Sequence, residues 1–113
     1  MSQEHPKVSV NRPATVAGPS GKKAHVVLTN ISQIGAGITS KATADKGTPL
    51  KIHFSLPIGR HNEEFFLHTK VSHCHVKNDN TYIWLSFVDI PEKLDIKLAR
   101  YIAERLSQPS GYF

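Results

Sequence analysis

Apolar and polar positions alternate along most of this chain. Val8 and Val10 are spaced by two, "KAHVVLTN" follows after the turn "GPSG" at 18–21, and "AGITSKA" and "PLKIHFSL" continue the pattern on either side of "DKG". A longer alternating run, "EFFLHTKVSHCHV", is read as a strand of about ten residues, and "NDN" at 78–80 turns it into "TYIWLSFVDI". The stretch "PIGRHNE" reads as a loop, and Pro13 as an interruption that leaves the first strand imperfect. From Pro91 the period changes. Leu94, Leu98, Tyr101, Ile102 and Leu106 recur at spacings of three and four, the mark of one amphipathic helix starting at Pro91-Glu92 and ending before Pro109.

Short strands at roughly ten-residue spacing, followed by a single helix, predict an all-β fold, an antiparallel barrel or sandwich. Closing the sheet removes its edges, and the helix stripe needs an apolar surface, which the open end of a small barrel supplies. The chain of 113 residues is about one domain in length. Its expected divisions are an N-terminal arm over 1–6, a domain over 7–107 and a tail over 108–113 that carries Tyr112 and Phe113.

Charge narrows the partners. A formal net charge of +5 and an isoelectric point near 9.5 favour an anionic partner, a nucleotide or an acidic protein surface. The basic residues are dispersed, with only Lys22 and Lys23 adjacent, which argues against a long nucleic-acid track. A single cysteine, Cys74, rules out an internal disulfide and suits a reducing compartment, so a cytoplasmic location is expected. No apolar run approaches the length of a membrane span or of a signal-peptide core.

The candidate chemistry lies in "TNISQIGAGI" at 29–38. As a turn it is ordinary, because Asn and Ser bond nearby backbone and Gly adopts positive φ. As a site it offers a paired donor and acceptor on Asn30, a hydroxyl on Ser32, and close backbone approach at Gly35. Trp84 alternates with Ile83, Leu85 and Phe87, so it is expected on the outer face if those three fill the barrel, where it can stack on a purine or cover an interface. His73 and His75 share a strand face with Cys74 between them. Without an evident third ligand they are read as outer-face histidines and no metal is assigned, while His68 is an odd step away and faces the other way in an unbroken strand. No nucleophile and base stand at a recognisable catalytic spacing, which favours a binding module over an enzyme.

Asn30-x-Ser32-x-x-Gly35 resembles the Asp/Asn-x-Ser-x-x-Gly motif of the PilZ domain, a bacterial family that binds cyclic di-GMP. "HPKVSVNRPATV", "GTPLKIHFSLP" and "YIWLSFVDI" are similar to the family's opening, post-motif and last strands. The resemblance implies a six-stranded antiparallel barrel with a C-terminal helix, and cyclic di-GMP held by Asn30, Ser32 and Gly35 beneath an arm. The family's Arg-x-x-x-Arg motif falls at Gln3-Glu4-His5-Pro6-Lys7, where both arginines are replaced, by Gln3 and Lys7. Lys7 keeps a cation without the planar fork, and Gln3 keeps neutral donors. Two charge-assisted bonds at ~1.5–3 kcal/mol each correspond to a hundredfold or more in affinity. Arg12 lies five residues from Lys7 and therefore on the opposite strand face, where it is read as a solvated strand residue. The implied function is a cyclic di-GMP receptor or adaptor with a protein partner; the alternative is an interaction module in pilus or motility regulation that does not bind the nucleotide.

Overall fold

The computed structural model describes residues 5–107. Six strands form a closed antiparallel barrel in the order β1-β2-β3-β6-β5-β4, followed by one helix. The strands are β1 (Val8–Ala17), β2 (Lys23–Ile31), β3 (Gly35–Ser40), β4 (Pro49–Ile58), β5 (His61–Lys77) and β6 (Asn80–Val88), and the helix is α1 (Glu92–Ser107).

Alternation dictates what fills the barrel. Val16, Val26, Leu28, Ile38, Ile52, Phe54, Leu56, Phe65, Leu67, Ile83 and Leu85 point inward and are buried, with Phe54 and Phe65 stacked at 5.1 Å between ring centroids. Leu98, Tyr101 and Ile102 of α1 join this core, and the helix packs against β4 and β1. Leu94 packs at the core margin, whereas Leu106 is 54% exposed and lies outside the stripe expected from periodicity. At the last turn the helix runs past the apolar surface it covers.

Two boundaries differ from the sequence pattern. β1 continues through Pro13, which pairs with Val27 from an exposed position. The "PIGRHNE" segment is no open loop. Ile58 pairs with His61 across a two-residue turn at Gly59-Arg60, with Gly59 at φ 64°, so the hairpin is tight and β5 extends to 17 residues.

The strands depart from strict alternation where ladder register shifts, and these bulges decide which side chains reach the outer wall. Leu28 is fully buried, and a regular strand would place Asn30 beside it inside the barrel. Thr29 is an extra residue between the pairs Leu28↔Ile38 and Asn30↔Gly37, and its Oγ1 donates to the Gly37 carbonyl at 3.1 Å. Asn30 is thereby turned outward. A second shift, between Val71 and His73 on β5, aligns His73 with Trp84. It also leaves His68, His73 and His75 all facing outward, which corrects the opposite facing expected for His68 in an unbroken strand.

Candidate functional site

One transverse row of the outer wall carries Asn30, Trp84 and His73, three of the residues singled out in the sequence. Register runs Ser9↔Asn30, Asn30↔Gly37, Gly37↔Trp84 and Trp84↔His73, crossing β1, β2, β3, β6 and β5.

Glycine makes this row possible. A Cβ on Gly35 would lie 2.7 Å from Trp84 Cζ2 and collide with the Leu85 carbonyl, so the indole packs directly against the Gly35 backbone. A Cβ on Gly37 would lie 2.5 Å from Asn30 Oδ1 and run into the Tyr82 hydroxyl. Asn30 and Tyr82 therefore meet over bare backbone, with Asn30 Nδ2 donating to Tyr82 Oη at 3.4 Å. Trp84 faces outward as expected but is only 7% exposed. Lys7 contributes to its cover, with Nζ 4.4 Å from the ring centroid in a cation–π contact.

Ser32 takes a different part. It is fully buried; its Oγ accepts from the Ile34 amide at 3.1 Å and donates to the Gly35 carbonyl at 3.4 Å, while its own amide donates to that carbonyl at 2.9 Å. The hydroxyl is engaged within the β2–β3 turn, so Ser32 shapes the site from beneath and presents no group at its surface. Arg12 is half-buried and lies away from the row. A register shift between Ser9 and Arg12 pairs it with inward-facing Leu28, and its Nε donates to the Ser55 carbonyl at 2.7 Å. Gln3, the rest of the arm through residue 4, and the tail with Tyr112 and Phe113 lie outside the described residues.

The structure thus brings together Lys7, Asn30, Gly35 and Trp84. It adds Gly37 and Tyr82, which sequence reading missed. The signal for both was parity: Gly37 is two residues from Gly35, and Tyr82 is two from Trp84 on the same strand face. Ser72 and Ser86 meet through their hydroxyls next to the row, Ser86 being the register partner of Gly35. Among the described residues no group of three His, Cys, Asp or Glu side chains could hold a metal ion, and no helix is long and apolar enough to cross a membrane.

A closed six-stranded antiparallel barrel followed by a C-terminal helix defines a small all-β domain. The PilZ domain family profile matches residues 2–104, and the chain belongs to that family. No curated protein sequence matches it. Its fold is similar to Bacillus subtilis Inhibitor of motility (MotI/DgrA), with a TM-score of 0.81 and 13% identity over 96% of this chain and 53% of that one. It is also similar to Escherichia coli YcgR in complex with c-di-GMP, at TM-score 0.74 and 14% identity over 92% of this chain and 46% of that one. The separate PilZ domain of YcgR with c-di-GMP matches at TM-score 0.72 and 10% identity over 94% of this chain and 92% of that one. The chain therefore spans about half the length of the first two proteins.

Proposed function

We propose that this protein is a cyclic di-GMP receptor or adaptor, not an enzyme, whose ligand lies across the Asn30–Gly37–Trp84 row. The observation that carries the reading is the Trp84 indole, seated on Gly35 and in cation–π contact with Lys7.

Magnitudes favour exchange of that cover. A cation–π contact at an exposed lysine stabilises by ~0.5–1 kcal/mol. A base stacked on an aromatic ring contributes ~1–3 kcal/mol, so a guanine displaces Lys7 from the ring. The freed ammonium then meets a phosphate, as a point charge and not as the bidentate fork of an arginine. Asn30, released from its weak bond to Tyr82, offers its amide to a base edge, while Gly35 seats the indole and Gly37 makes room for the Asn30 and Tyr82 side chains. Ser32 holds the turn that sets this geometry. The arm including Gln3 closes over the ligand, creating a surface for a protein partner in the cytoplasm.

Titration calorimetry with cyclic di-GMP tests the reading. Saturable heat at one set of sites supports it, and its absence at millimolar nucleotide removes it. The replacement of both arm arginines favours a second reading, in which the barrel acts in pilus or motility regulation through protein contact alone. Gln3→Arg with Lys7→Arg separates the two: affinity rises if the row is a nucleotide site, and no binding develops if it is not.

A further inference from the structure

The wall opposite the candidate site carries a basic trough. In the barrel order the β1/β4 junction is diametrically placed from the β3/β6 junction. There the register aligns His25↔Thr15↔His53↔Phe66 on four strands, and the next row on the same face aligns Lys23↔Ala17↔Lys51↔His68. Thr15 and Ala17 are the small members of each row. They form a low floor on β1 between the longer side chains of β2 and β4.

The result is an open cleft of about 640 Å³. A second cleft of about 290 Å³ shares Ala17, Lys51 and His68 with it and continues past Pro49 and Lys70, so the two make one elongated groove. Phe66 stands at its side, 66% exposed and stacked on His53 at 4.1 Å with an interplanar angle of 6°. An aromatic ring this exposed leaves apolar area in water that a partner could cover. The acidic side chain in contact with this face, Glu64, is joined to His53 at 2.5 Å. Lys23, Lys51 and Lys70 take part in none of the salt bridges found among the described residues.

We infer that this trough docks an acidic segment of a partner protein, with Phe66 as the apolar anchor and Lys23, Lys51 and Lys70 as the charged rim. Three features select that occupant. The groove is long and open, which suits an extended chain better than an enclosed small molecule. Its lining holds three lysines and no carboxylate, Glu64 being paired with His53 at the edge, and this excess of positive charge steers an acidic segment to it. Its exposed aromatic lies beside the cleft, where a partner's apolar side chain can bury it. The inference does not depend on nucleotide binding, because the two walls share no residue named in either site.

Amide chemical-shift mapping on the full chain tests it with three probes: a twelve-residue Asp/Glu-rich peptide bearing one central Phe, a Lys-rich peptide of the same length, and the oligonucleotide (dT)12. The acidic peptide should give saturable shifts at Thr15, Ala17, His53 and Phe66, and the Lys-rich peptide none. Lys51→Glu and Phe66→Ser, both at exposed positions, should each weaken acidic-peptide binding by tenfold or more while thermal unfolding stays near that of the parent. No saturable shift with the acidic peptide at about a millimolar, a level that detects even weak association, overturns the inference. So does tighter binding of (dT)12 at the same residues, which would make this a nucleic-acid face.

Discussion

Lys7 Nζ lies 4.4 Å from the ring centroid of Trp84, so a cation already rests on the aromatic ring of the candidate site. On the proposed reading, ligand binding exchanges the partner of Trp84, and the chain's only tryptophan is its own reporter. Removing the cation in Lys7→Ala should shift the emission of Trp84 and lower stability by only ~0.5–1 kcal/mol. Unchanged emission in that variant would mean that the contact is not populated in solution.

The two glycines should respond differently to alanine. At Gly35 the added carbon meets the backbone carbonyl of Leu85, which cannot move without disturbing β6, and a large loss of thermal stability is expected. At Gly37 it meets the ends of the Asn30 and Tyr82 side chains, which can swing away. Gly37→Ala should therefore fold almost normally and lose at least tenfold in cyclic di-GMP affinity by calorimetry. Equal behaviour of the two variants would argue against Asn30 and Tyr82 forming one edge of the site.

Ser32→Ala removes a buried hydroxyl that serves the Ile34 amide and the Gly35 carbonyl. Leaving the amide unpartnered costs about 1–3 kcal/mol, measurable as a lower urea midpoint at unchanged slope. If Ser32 acts instead by touching ligand directly, stability should stay unaltered while affinity falls.

The helix gives a paired control. Leu98 is fully buried, and Leu98→Ala should destabilise by ~2–5 kcal/mol. Leu106 is 54% exposed, so Leu106→Ala should change stability by no more than about 0.5 kcal/mol.

Most of the architecture was legible because a barrel wall obeys a period of two: Ile83 and Leu85 point inward and Trp84 outward as alternation requires. Periodicity failed where local geometry interrupts it. No residue type announces the bulge at Thr29, yet it alone turns Asn30 out of the core. The shift after Val71 likewise gives His73 the same outward facing as His68 despite their odd spacing. The burial of Ser32 was hidden for another reason. A turn hydroxyl and a ligand hydroxyl look alike in sequence, and only their hydrogen bonds distinguish them. Gly59-Arg60 passed for an open loop because its flanking Pro57 and His61 are poor strand formers that pairing with β5 and β4 overrides.

The central claim is that cyclic di-GMP lies across Asn30, Gly37 and Trp84, and amide and indole resonances followed during a nucleotide titration test it most directly. The account predicts saturable shifts of the Trp84 indole and the amides of Gly35 and Gly37, with Phe66 on the far wall unmoved. Unshifted resonances at 30–37 and Trp84 at millimolar nucleotide, or shifts confined to the far wall, would contradict it.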